Sequence, residues 1–414
     1  LIVLSNVRIR FMSKYLFKLS NVIQNYPWGS KTSIQELFDI DNPRQEPQAE
    51  IWMGAHANGC SKIVVDEQVT LLSEFIASNP KSILSPVTAE KFGELPYLFK
   101  VLAAGKGLSI QVHPNKHEAE VGFARENAEG IEKKCPTRNY RDSNHKPELV
   151  YALTPYQAMN GFRAFDNIIE LFSELVHSID IPVIETLLAE FIANPDSDGL
   201  ECFFLGVLSL ESEEKYRSLE QLLRYCEANQ NVEIPNDLPA LIIELSKSYS
   251  NDIGLFAPLM LNVLTLQPGE VMYLDARTPH AYLKGTALEI MANSDNVLRA
   301  GLTPKHIDIK ELASCTLFEE KNKNTLLLEP NIQGNKQSYA VPVPDFKFNC
   351  FIKPENESVP VNSAEILFAI DCQATVIHSS GESITLNKGE SLFIPAYANA
   401  YTLKSKGQVA RAFN

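Results

Sequence analysis

The chain has 414 residues, more than one hydrophobic core usually supports, so two or three compact parts are expected. Its 45 % hydrophobic content is that of an ordinary globular protein. A formal net charge of -14 argues against nucleic acid or an anionic membrane as partner, because either favours a basic face.

A small phosphorylated ligand needs only a few local cations and stays open. The seven cysteines, at 60, 135, 202, 226, 315, 350 and 372, form no Cys-x-x-Cys pair. That pattern suits reduced thiols in a cytoplasmic protein and excludes a zinc knuckle built from cysteine. No apolar run approaches the roughly 20 residues of a membrane helix. Residues 1–11 precede the first methionine, Met12, and are too short for a cleaved signal; they read as an N-terminal extension without functional weight.

From Tyr15 to about Tyr156 the chain reads as short strands broken by Gly and Pro, such as Ile51–Gly54 and Tyr97–Leu102. This punctuation predicts a sandwich or barrel. Within it, Ser109-Ile110-Gln111-Val112-His113-Pro114 alternates, with Ser109, Gln111 and His113 on one face and Ile110 and Val112 on the other. Taken alone, that alternation fits a half-buried surface strand better than a ligand-bearing one. A helix is predicted over 115–127 after Pro114.

In Asn144-His145-Lys146-Pro147-Glu148-Leu149, Pro147 forces extended geometry on Lys146, and Glu148 heads an apolar strand. After Phe165 the period changes. Ile168, Leu171, Phe172 and Leu175 share one helical face with Asp166 as a cap, and similar runs follow at 184–192, 216–226 and 241–245. Residues 164–250 therefore read as a helical insertion without chemistry.

Strand character returns near Leu259, with an internal echo: Leu264–Leu274 matches Ile384–Ile394, each built as apolar strand, Gly-Glu turn and apolar strand. Such a hairpin seen twice predicts two related β-barrels. The copies reach His280-Ala281-Tyr282 and Asn399-Ala400-Tyr401, which sets Asn399 against His280 and leaves the second barrel without a metal ligand at that tip.

Gln111, His113, Glu148 and His280 together offer two imidazoles, a carboxylate and an amide oxygen. That set suits a borderline divalent ion such as zinc, with room for water or substrate. Glu289, in the middle of the apolar run 287–292, is a site candidate because buried charge is costly unless paired or used. Arg299 and Lys305 are suited to phosphate.

These segments closely resemble a known family. SIQVHP, NHKPELVYAL, RTPHAYLKG and ALEIMANSDNVLRAGLTPKH look like signature segments of type I mannose-6-phosphate isomerases. NVIQNYPWGS, QAEIWMGAH and PYLFKVLAAGKGLSIQ extend the likeness toward the N-terminus. The resemblance implies a mainly β fold of tandem cupin (jelly-roll) barrels with an α-helical insertion. The corresponding domains are a catalytic cupin over 12–163 and 251–330, the insertion over 164–250, and a C-terminal cupin-like domain without metal over 331–414.

It further implies one Zn2+ per chain on Gln111, His113, Glu148 and His280, and a catalytic arginine at Arg299. Lys100, Ser109, Lys146, Tyr282, Glu289 and Lys305 match pocket positions. The implied reaction interconverts mannose 6-phosphate and fructose 6-phosphate by moving a proton between C1 and C2 through an enediol(ate), with Lys146 or Arg299 adding charge stabilisation. Glu289 is the first choice as proton carrier; His145, Asp295, Tyr282 and a zinc-bound water remain open. A phosphosugar is the expected partner, and the protein is expected as a monomer or weak homo-oligomer. A metal-dependent cupin oxygenase and a non-catalytic phosphosugar-binding cupin are the rival readings.

Overall fold

The computed structural model describes residues 14–414, so the extension 1–11 lies outside the described residues. Contacts divide the described residues into two compact units, one of 14–103 with 288–293 and 328–414, the other of 104–287 with 294–327. This grouping follows compactness, whereas the expected boundaries 163/164, 250/251 and 330/331 follow changes in the sequence pattern.

The second unit joins a barrel-like sheet to a helical layer. Its strands are β1 (Gln111–Val112), β2 (Glu148–Ala152), β3 (Tyr156–Phe162), β4 (Leu261–Leu266), β5 (Val271–Leu274), β6 (His280–Ala292) and β7 (Leu298–Arg299). β4 pairs with β3, β3 with β6, β5 with β2, and β1 with both β6 and β7, all antiparallel. The last residues of β6, 288–292, count with the other unit.

The predicted alternation around β1 holds. Ile110 and Val112 are fully buried in one apolar core with Met159 and Phe162 of β3 and with Phe172 and Phe203 of the helices. Gln111 and His113 therefore look the other way. The ladder itself covers only Gln111–Val112, while Ile110 is held by backbone bonds to Gly301 and Ala300. Beyond it, α1 (Lys116–Ala128) opens on a capping box of Asn115 and Glu118.

The insertion consists of α2 (Phe165–Ser178), α3 (Pro182–Ala193), α4 (Ser197–Leu208), α5 (Ser212–Asn229) and α6 (Leu238–Ser246). Asp166 is not the cap of α2: Ala164 holds that position, and Asp166 sits in the first turn, where its charge favours the helix dipole. α4 has no counterpart among the predicted runs because Gly199 and Gly206 dilute its pattern. At Gly206 a side chain would meet Leu187 of α3 at 2.7 Å, so close helix packing keeps the glycine.

In the first unit, strands Val22–Gln24, Glu50–Met53 and Tyr97–Ala104 lie side by side. The C-terminal barrel contributes β8 (Glu357–Pro360), β9 (Glu365–Ala369), β10 (Ala374–His378), β11 (Ser383–Leu386), β12 (Ser391–Ile394), β13 (Ala400–Ser405) and β14 (Gln408–Phe413). β8, β13, β10 and β11 form one sheet, and β12, β9 and β14 belong to the other. Inward residues such as Val359, Leu367, Val376, Leu392, Leu403 and Val409 fill the space between them.

The echo in sequence is an echo in register, with one correction. β5 pairs with β2 as Leu274↔Glu148, and β12 pairs with β9 as Ile394↔Glu365. At the barrel tip, however, His280 stands opposite Asn160, and Tyr401 rather than Asn399 occupies the matching place, opposite His378. The loop after Ile394 is one residue longer than that after Leu274, whereas matching Asn399 to His280 takes it as one residue shorter, so the tip lies two positions beyond the aligned letter.

Candidate metal centre and anion site

Strand register brings the sequence-derived candidates of the second unit together. Gln111 pairs with His280 on one side and Arg299 on the other. Residues directly opposite each other on neighbouring strands share a face, so Gln111, His280 and Arg299 point the same way. His113 follows two residues after Gln111, and Ser109 precedes it by two. Glu148 enters at the head of β2.

The centre is a compact set of donors: nitrogens of His113 and His280 and an oxygen of Glu148 lie within 4.8 Å of one another, and all three residues are buried. Each imidazole is oriented from behind. His113 Nδ1 lies 2.7 Å from the Asn296 carbonyl and His280 Nδ1 2.9 Å from the Thr278 carbonyl, so each Nδ1–H donates and each Nε2 lone pair is turned to Glu148. His113 Nε2 is 3.3 Å from Glu148 Oε1 yet makes no hydrogen bond. A buried ring nitrogen with a free lone pair beside a carboxylate fits a cation.

Two further groups reach the same carboxylate. Lys146 Nζ is 2.9 Å from Glu148 Oε1, and the Tyr282 hydroxyl donates to Oε2 at 2.5 Å. Burial raises the Glu148 carboxyl, but Lys146 and then His113 outweigh it and hold the group well below the usual carboxylate range. Burial, reinforced by the Lys146 charge, pushes His113 down to about 3. The imidazole is therefore neutral at neutral pH, the form a metal requires.

Beside this centre stands a group of cations. Burial and the neighbouring Arg141 lower Arg299, and burial, Arg299 and Arg141 lower Lys305. Cations that repel one another beside a buried polar site are suited to a multiply charged anion. The sequence had singled out Arg299 and Lys305 but not Arg141, which stands in the plain polar stretch before Asn144.

Asn296 also escaped the sequence reading. Its fully buried side chain accepts from the backbone N–H of Arg141 at 2.7 Å and donates to the carbonyls of Asp142 at 2.8 Å and Asn144 at 2.9 Å, while its own carbonyl orients His113. Only the polar run 293–296 hinted at such a knot. Lys100 and Glu289 lie in the first unit, where they form a buried ion pair at 2.7 Å, with the Lys100 ammonium also 5.5 Å from the Trp52 ring.

Comparison with known proteins finds relatives along nearly the whole chain. The family model "phosphomannose isomerase type I, catalytic domain" matches residues 16–165, its helical insertion domain 184–261, and "mannose-6-phosphate isomerase, cupin domain" 335–414. Mannose-6-phosphate isomerase of Escherichia coli (strain K12) is 46 % identical over 400 residues, 96 % of this chain and 99 % of that protein.

Two solved structures extend the likeness. A point mutant of phosphomannose isomerase from Salmonella typhimurium superposes with a TM-score of 0.91 at 44 % identity, covering 97 % of this chain and 100 % of that one. A zinc-bound mannose 6-phosphate isomerase gives 0.90 at 44 % identity, with the same coverages. With its antiparallel barrels, helical insertion and cupin domain, the chain belongs to the type I phosphomannose isomerase family and is an enzyme of the mannose-6-phosphate isomerase class.

Proposed function

We propose that this chain interconverts mannose 6-phosphate and fructose 6-phosphate by moving a proton between C1 and C2 through an enediol(ate), with one zinc ion held by Gln111, His113, Glu148 and His280. The observation that carries the reading is the buried convergence of His113, Glu148 and His280, with both imidazoles tied at Nδ1 to backbone carbonyls. When bound, zinc supplies redox-inert Lewis-acid polarisation of sugar oxygens.

The chain's own residues supply the remaining parts. Arg299 and Lys305, with Arg141 beside them, bind the phosphate dianion, a role supported by their mutual repulsion when no anion is present. The Lys146 ammonium, close to Glu148, offsets negative charge that develops on a sugar oxygen. Tyr282 fixes Glu148 and presents its ring to the sugar; Ser109, on the Gln111 face, contacts a hydroxyl. Glu289 is the proton carrier and Lys100 its ion-paired companion and a substrate contact, a role supported by their burial.

The catalytic part is assigned to 12–163 and 251–330, the insertion to 164–250 and a metal-free cupin-like part to 331–414. The seven free thiols support a cytoplasmic setting. No helix among the described residues is long and apolar enough to cross a membrane. The protein works as a monomer or weak homo-oligomer. The test is a coupled assay for fructose 6-phosphate from mannose 6-phosphate before chelation, after it, and with zinc restored. Activity that vanishes and returns is expected; activity indifferent to chelation overturns the metal centre, and binding without turnover in zinc-replete buffer overturns the isomerase.

A further inference from the structure

The two barrels share their register closely enough to compare the ligand positions one by one. Leu274↔Glu148 and Ile394↔Glu365 set Glu365 at the place of Glu148. His280↔Asn160 and Tyr401↔His378 set Tyr401 at the place of His280. Gln111 pairs with His280 and Val359 with Tyr401, which sets Val359 at the place of Gln111 and Val361, two residues on, at that of His113. Three of four positions have thus become apolar or phenolic, and the carboxylate alone persists.

A carboxylate kept in an apolar interior needs a cation. Glu365 is fully buried and faces the same interior as Leu367 and Ala369. Arg411 of β14 meets its Oε2 with Nε at 3.0 Å and Nη2 at 2.6 Å, and the same Nη2 donates to the Pro360 carbonyl at 2.8 Å. Oε1 of Glu365 has no hydrogen bond, and the Tyr401 hydroxyl faces the carboxylate without closing one of good geometry. The origin of the guanidinium follows from the same register. Leu153 N–H bonds to the Thr286 carbonyl and Ile370 N–H to that of Gln408, so Arg411 stands where the first copy carries Glu289.

We propose that the C-terminal barrel is a second copy of the metal barrel in which the guanidinium of Arg411 has taken over the cation's place beside the retained carboxylate of Glu365. The barrel is a cation site filled from within by its own chain. It takes no metal, and its Glu365–Arg411 pair secures the barrel interior that an ion secures in the other copy.

The test has two arms on the full chain. In the first, Arg411→Met strands the carboxylate and lowers the thermal midpoint by roughly 5–10 °C, and Arg411→Met with Glu365→Met recovers at least half of that loss. A midpoint for Arg411→Met equal to the parent's, or a double variant less stable than Arg411→Met, overturns the charge replacement. In the second, Val361→His, Tyr401→His and Arg411→Met together rebuild two imidazoles and a carboxylate. Dialysed against Co(II), this variant is expected to hold one equivalent more than the parent, lost on adding Glu365→Gln. Cobalt content equal to the parent's in a folded variant overturns the equivalence of the two sites; should the triple variant not fold, the first arm decides.

Discussion

Replacing Asn296 by alanine tests how the metal centre is held in shape. The side chain makes one bond to the N–H of Arg141 at 2.7 Å and two to the carbonyls of Asp142 and Asn144 at 2.8 and 2.9 Å, with a longer one from the Asp142 N–H at 3.2 Å. At roughly 1 kcal/mol net for each bond, and somewhat more for buried backbone groups left without partners, Asn296→Ala costs about 3–4 kcal/mol of stability. The backbone carbonyl that receives His113 Nδ1–H survives the substitution, but the loop carrying it loses its anchor to 141–144. Zinc affinity is therefore expected to fall about 10- to 100-fold, as when other groups that orient ligands from behind are lost. Competition with a chromophoric chelator measures the affinity, and thermal unfolding of the metal-free and metal-loaded protein measures the stability. An unchanged affinity in a destabilised protein would refute the link between this loop and the orientation of His113. An unchanged stability would refute the energetic weight given to the bonds themselves.

Arg299→Lys keeps the charge and loses the planar fork; KM for mannose 6-phosphate is expected to rise about 10- to 100-fold with metal content unchanged, and an unchanged KM removes Arg299 from phosphate binding. Glu289→Gln is expected to lower turnover by about 100-fold or more with zinc retained, and near-normal turnover eliminates it as the proton carrier. A parallel melt shows whether the loss of the Lys100 partner alone accounts for the change. Glu390 sits 2.6 Å from Lys18 and accepts from the Asn387 N–H at 2.8 Å. Burial raises its carboxyl, but the Lys18 bond and the Asn387 N–H outweigh it and hold the group below the usual 4.5. Because the folded value is the depressed one, this stabilisation is present above 4.5 and disappears as pH falls through the folded value. The pair is partly exposed, so Glu390→Gln is expected to cost less than about 1 kcal/mol at pH 7 and nothing in strong acid; a cost that grows on acidification would reverse the sign.

Much of the site was legible because it depends on alternation along single strands. Period-two spacing placed Gln111 and His113 together and Ile110 and Val112 apart, and burial of the latter pair in the helical core bears this out. The change to helical spacing after Phe165 marked the insertion for the same reason, although the capping of α2 fell on Ala164, where no side-chain signal exists. Aligning letters across the two hairpins matched the strands and missed the tip, because one extra loop residue moved Tyr401 into the register of His280.

The sequence by itself determined which chemistry was on offer: the imidazoles, carboxylates and cations, and the face of the strand each side chain takes, since these depend on residue type and on periods of a few residues. Only the tertiary structure decided which backbone carbonyls turn His113 and His280, that Asn296 knots two distant loops, that Arg141 joins the cations, and that Arg411 neutralises Glu365. Those outcomes depend on inter-strand register and on carbonyl positions, which are common to every residue type and leave no local mark in the order of the amino acids.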